Sequence, residues 1–131
     1  MKKDLTTEQK VKLVMGADFW TNYDAEGALY RFVVSDGPVG LRQPRDRMTT
    51  EQTDCIRSVA YPSFQILSQT WDTSLAYEMG KSLGNDCIEQ DVDILLGPGV
   101  NIKRLPTNGR NFEYLSEDPV VAGTFAREYI K

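Results

Sequence analysis

Histidine is absent from this chain of 131 residues. A Ser-His-Asp triad, a Cys-His nucleophile pair and a histidine-ligated zinc site therefore cannot be built from these residues. Cysteine is almost as scarce. Cys55 and Cys87 lie far apart and form no CxxC pair, so neither a zinc ribbon nor a thioredoxin-like site is indicated, and two unbridged thiols in a reducing compartment are expected. No apolar run reaches the roughly 18 to 20 residues that a bilayer-spanning helix needs; the longest candidates surround Val33 and Leu95. Lys2 and Lys3 run straight into Asp4, Thr6, Thr7 and Glu8, without the apolar stretch of a secretory signal, and the expected location is cytoplasmic. Basic residues are outnumbered, 15 Lys plus Arg against 19 Asp plus Glu for a net charge of −4, and form no stripe. Neither nucleic acid nor a membrane is an expected partner.

What remains is ordinary globular material, 40% hydrophobic and 26% charged, which argues against disorder in a chain the length of one small domain. Thr6 followed by Gln9 has the form of a capping box, and Val11, Val14 and Met15 make an apolar face that ends at Gly16, so a short N-terminal helix is expected. Residues 18–30 show no period and read as a loop. Residues 31–35 carry Phe32, Val33 and Val34 and stop at Asp36, Gly37 and Pro38, the pattern of a short buried strand and a turn. Residues 43–54 read as a polar surface loop.

Asp72 can cap a longer helix in which Leu75, Met79, Leu83 and Cys87 recur at intervals of four. Gly80 and Gly84 in the same segment lower its propensity, and close packing against a neighbour would compensate. Ile94, Leu95 and Leu96 form a second strand pattern, ended by Gly97, Pro98 and Gly99. An irregular stretch then leads to Asp118 and Pro119, a cap and first-turn pair, followed by Val121, Phe125 and Tyr129 on one helical face. Strand, helix, strand, helix is the order of an α/β protein with a parallel sheet. Two such strands leave both sheet edges open, so the core looks too small to close by itself.

Three segments carry a resemblance: VSDGPVGLR at 34–42, LLGPGVNIKR at 95–104 and GRNFEYLSEDP at 109–119. Taken in this order, with Phe19 and Trp20 before them and Trp71 and Asp72 between, they resemble the N-terminal domain of family 3 glycoside hydrolases of the β-glucosidase type, over nearly the whole chain. The resemblance implies a (β/α)8 TIM-type barrel, of which residues 1–131 would supply the first part, since a full barrel takes about 250 residues. It also implies that the nucleophilic aspartate, a Lys-His pair that holds the sugar, and the acid/base residue all lie beyond these residues. No catalytic residue, metal or organic cofactor is assigned to this chain.

The resemblance gives three residues a sugar-binding role: Asp36, Arg42 and Arg110. The chemistry suits them, because charged acceptors and donors make hydrogen bonds to hydroxyls roughly twice as strong as neutral pairs, and all three follow strands, where barrel enzymes build their sites. Each has a plainer reading. Asp36 can serve a local Asp-Gly-Pro turn, Arg42 can be a solvated charge beside Arg45 and Arg47, and Arg110 can tie its loop down through ion pairs. Glu113, Glu117 and Asp118 are not read as a catalytic pair; by resemblance they belong to a structural loop that Lys103 and Arg104 help to fix, and Asp118 suffices as a helix cap. Two positions depart from the family pattern, Val39 where many relatives have histidine and Thr107-Asn108 where Leu-Cys is frequent. Both are expected near the pocket mouth, and Asn108-Gly109 suits a tight turn.

The implied activity is removal of a terminal β-linked sugar from a short oligosaccharide or glycoside with retention at the anomeric carbon. A different class of function fits the same residues: a sugar-binding or orphan polypeptide without catalysis, or a fragment that associates to complete a barrel.

Overall fold

The computed structural model describes residues 4–24, 27, 29–46, 48 and 53–131, so Lys2, Lys3, Arg47 and parts of both expected loops lie outside the described residues. Its elements run α1 (Thr7–Leu13), β1 (Val34–Ser35), α2 (Phe64–Gln69), α3 (Thr73–Glu89), β2 (Ile94–Leu95), a 3-10 turn (Asn111–Glu113) and α4 (Pro119–Ile130). β1 and β2 are parallel, with Val34 opposite Ile94 and Ser35 opposite Leu95. The α/β order expected from the sequence is therefore present.

The caps form as read. Thr6 and Gln9 close a reciprocal capping box on α1, Asp72 accepts from the Ser74 N–H at the start of α3, and Asp118 accepts from the Val120 and Val121 N–H groups with Pro119 in the first turn of α4. Each satisfies backbone donors that a helix start leaves without partners. Gly16, with φ +67°, lies just beyond α1.

Helices α2, α3 and α4 share one core. Phe64, Leu67, Ala76, Met79, Leu83, Leu115, Ala122, Phe125, Ala126 and Tyr129 are all buried in it. The Phe64 and Tyr129 rings meet edge to face, with centroids 5.3 Å apart. Gly80 sits directly against the backbone of Tyr129, where a Cβ would press on its carbonyl group. The α3 glycine thus lets α4 approach closely, while Gly84 has no such neighbour and α3 continues past it to Glu89. Tyr129 also donates its hydroxyl to the Pro38 carbonyl at 2.8 Å, tying the end of α4 to the turn after β1.

Several expectations are corrected. The strand at 31–35 is limited to Val34 and Ser35, because the N–H groups of Phe32 and Val33 are taken by the side chains of Asn22 and Asp93 rather than by a neighbouring strand. Val33 instead bridges antiparallel to Thr21. The second strand stops at Leu95, and Ile94 and Leu96 are exposed rather than covered. Val11 on α1 and Val14 and Met15 just after it are exposed as well, so that apolar set adds nothing to the core. On α3 the buried stripe runs through Ala76, Met79 and Leu83, with Leu75 left in solvent. The polar segment at 43–54 begins with Gln43 and Pro44, both fully buried; Pro44 bridges to Cys55, and Gln43 accepts from the Ile56 N–H. The sequence reading passes over α2, although Ser63 caps it by accepting from the Ile66 N–H.

Candidate functional site

The backbone immediately after β1 turns through Gly37 and Gly40, where the Gly40 N–H reaches the Gly37 carbonyl at 3.0 Å. Asp36 opens this turn and Arg42 closes it: the Arg42 N–H donates to the Asp36 carbonyl at 2.9 Å in an antiparallel bridge. The Asp36 carboxylate accepts from the Gly37 N–H at 3.0 Å, as the plain turn reading requires. The same turn holds the half-buried carboxylate at the C-terminal end of the strand. Residues 36 and 42 are thus brought together by main-chain geometry, with the Arg42 side chain exposed.

Arg110 arrives from the other strand. The segment after β2 passes Gly99, whose missing side chain leaves room for the carbonyl of Glu113 and the edge of the Tyr114 ring. Asn101 donates to the Tyr114 hydroxyl at 3.2 Å, and Asn111 donates to the Leu105 carbonyl at 2.8 Å. Asn108 caps the turn before Arg110 by accepting from its N–H at 3.0 Å, which makes the Asn108-Gly109 turn a built element of the loop. The Arg110 guanidinium bonds through Nε to the Glu113 carboxylate and lies 5.9 Å over the Tyr114 ring.

These charges stabilise the protonated guanidinium. Arg110 is held above the ordinary arginine value, first by its hydrogen bond to Glu113, then by the charge of Glu113, with smaller contributions from Tyr114 and from Asp36. Glu113, three residues along the same loop, is thus the main partner of the Arg110 guanidinium.

Other residues fall where local chemistry sends them. Lys103 donates its N–H to the Ser116 carbonyl, and burial lowers its side-chain pKa despite the nearby charge of Glu117. Asp118 is occupied as the α4 cap. Val39, expected near a pocket mouth, packs against the core, and its carbonyl accepts from the Tyr61 N–H at 2.8 Å. Sequence reasoning missed Asn101 and Tyr114 as supports of the Arg110 loop. Their segments were quoted, but nothing in a linear motif shows that its asparagine and the tyrosine of the next one meet. No helix among the described residues is long and apolar enough to cross a membrane.

One carboxylate and two guanidinium groups thus lie in the segments that follow two adjacent parallel strands. The sequence model described as "Glycosyl hydrolase family 3 N terminal domain" matches residues 34–131, the stretch that contains all three side chains. The chain belongs to glycosyl hydrolase family 3. The thermostable beta-glucosidase B of Acetivibrio thermocellus is 40% identical over 131 residues, covering 98% of this chain and 17% of that protein. An exo-alpha-(1->6)-L-arabinopyranosidase of Bifidobacterium longum is 40% identical over 124 residues, 92% of this chain and 16% of its own length. Among solved structures, beta-glucosidase 3B from Thermotoga neapolitana in complex with alpha-D-glucose superposes with a TM-score of 0.84 at 38% identity, over 97% of this chain and 20% of that one. The chain spans about a sixth of the length of these curated relatives.

Proposed function

We propose that residues 1–131 are the first part of a (β/α)8 barrel in a β-glucosidase-like enzyme, and that they supply substrate-binding groups while the catalytic carboxylates come from elsewhere in the full-length polypeptide. The observation that carries this reading is the placement of Asp36 directly after β1 and of Arg110 in the segment that follows the parallel strand β2, the side on which parallel barrels build their sites. Asp36 accepts from sugar hydroxyls, and Arg110 and Arg42 donate to them. In a water-poor site such charged hydrogen bonds hold the ring in one orientation.

The reaction is removal of a terminal sugar with retention. One carboxylate attacks the anomeric carbon while a second protonates the departing oxygen; water then releases the sugar as the second carboxylate takes up a proton. The first two relatives differ in the sugar their names specify, a β-glucoside and an α-L-arabinopyranoside. In their chair forms both are pyranosides whose glycosidic oxygen leaves from an equatorial position. The shared requirement for this chain is thus a pyranose ring held by its hydroxyls, with the sugar's identity set by other contacts. The mechanism calls on no metal or organic cofactor.

The test is release of p-nitrophenol from p-nitrophenyl β-glucoside, with p-nitrophenyl α-L-arabinopyranoside in parallel. Activity is expected from the full-length polypeptide and not from the 131-residue chain alone. Hydrolysis by the short chain would overturn the assignment of catalysis to other segments, and inactivity of both on both substrates would overturn the glycosidase reading in favour of sugar binding without catalysis.

A further inference from the structure

Arg110 is an exposed, flexible side chain at the tip of a loop, and such a group binds a ligand well only if its position is settled beforehand. The side chain of Arg110 is 70% exposed and that of Glu113 only 16%, so the carboxylate is the anchored member of the pair and the guanidinium the projecting one. Glu113 is itself fixed from three sides. Its N–H donates to the Arg110 carbonyl at 3.1 Å, its own carbonyl lies over the bare Cα of Gly99, and the next residue, Tyr114, is buried and joined to Asn101.

From this arrangement we infer that Glu113 is a positioning residue, which sets the plane of the Arg110 guanidinium through Nε so that its Nη hydrogens are presented to the ligand. A guanidinium is planar, so a partner held at Nε constrains where the outer donors point. The carboxylate limits rotation of the guanidinium, and the Tyr114 ring 5.9 Å from Cζ adds a weaker cation–π attraction. Glu113 touches neither the sugar nor the reacting bond, and its effect passes entirely through Arg110. The inference rests on the sugar-binding role proposed for Arg110.

The experiment is a double-mutant cycle in the full-length polypeptide, with Arg110→Ala, Glu113→Gln and the double variant, measuring kcat/KM on p-nitrophenyl β-glucoside and inhibition by free glucose. Glu113→Gln keeps the volume and an acceptor oxygen but removes the charge, and is expected to lower kcat/KM on the order of tenfold and weaken glucose inhibition similarly. In the double variant the loss should match that of Arg110→Ala within about twofold, because a residue acting only through Arg110 has nothing left to position. Glu113→Asp, which keeps the charge, should retain more activity than Glu113→Gln; this ordering also stands as the test if Glu113→Gln lowers the amount of folded protein. Full activity in Glu113→Gln with a large loss in Arg110→Ala would overturn the positioning role alone. Full activity in Arg110→Ala would overturn the sugar-binding reading itself, and losses that multiply in the double variant would show that Glu113 acts independently of Arg110.

Discussion

Replacing Gly80 and Gly84 separately by alanine, in the full-length polypeptide, separates helix propensity from close packing within one helix. Both sites lie inside α3, where alanine is favoured over glycine by about 1 kcal/mol when nothing else intervenes. At Gly84 a new Cβ meets no heavy atom within 4 Å, so the substitution is expected to stabilise by about 0.5–1 kcal/mol. At Gly80 the Cβ would lie 2.8 Å from the carbonyl carbon of Tyr129 and 3.0 Å from its Cα, with the carbonyl oxygen nearer still. These are backbone atoms and cannot rotate away, so α4 must shift. Overpacking of this kind costs about 1–3 kcal/mol. The shift also disturbs the edge-to-face contact with Phe64 and the hydrogen bond to Pro38, each worth roughly 1 kcal/mol. Against the propensity gain, the net expectation for Gly80→Ala is a loss of about 2 kcal/mol. Thermal unfolding should show Gly80→Ala melting below the parent and Gly84→Ala at or above it. A Gly80→Ala protein as stable as Gly84→Ala would refute the close approach of α3 and α4.

Asp36→Asn in the full-length polypeptide should lower kcat/KM on p-nitrophenyl β-glucoside by about 10- to 100-fold with little change in melting temperature, since a charged acceptor for sugar hydroxyls is lost and the turn needs only one oxygen. Asp118→Ala should do the reverse, costing about 1 kcal/mol of stability by melting temperature and leaving KM unchanged, because its carboxylate serves the start of α4. Asp18 supplies a pH test. Burial pushes its pKa up, but hydrogen bonds from the Thr21 hydroxyl and the Trp20 and Thr21 N–H groups, with the charge of Arg31, outweigh this and hold it below the ordinary 3.8. A depressed carboxylate stabilises the fold above its unfolded value and loses that contribution as pH falls through the folded one. The gap in unfolding midpoint between the parent and Asp18→Asn should therefore be constant near neutrality and narrow below about pH 4; a gap that widens in acid would refute the assignment.

Local chemistry was legible in the sequence at three helix starts where one short segment contains both partners, and was missed at the fourth, where Ser63 caps α2. Thr6 with Gln9, Asp72 with Ser74 and Asp118 with Val120 are separated by three residues or fewer, so composition alone marks the helix starts. The two strands and their parallel order were legible too, because β-branched and aliphatic runs ending in glycine and proline have few alternatives. The glycine at 80 was marked as a packing site without its partner being visible. Burial was less legible. Val11 and Leu75 have the right spacing yet face solvent, while Gln43, in a polar run, is fully buried. Periodicity reports which residues share a face and not whether anything covers it.

The sequence by itself thus determined the capped starts of α1, α3 and α4, the strand pair, the family and the candidate residues Asp36, Arg42 and Arg110. Only the tertiary structure decided how those residues relate. The bridge of Asp36 to Arg42, the ion pair of Arg110 with Glu113 and the seating of Glu113 and Tyr114 over Gly99 all depend on how the loops after the strands fold. Electrostatic and packing energies depend on distance through space, and separation along the chain carries little of that information.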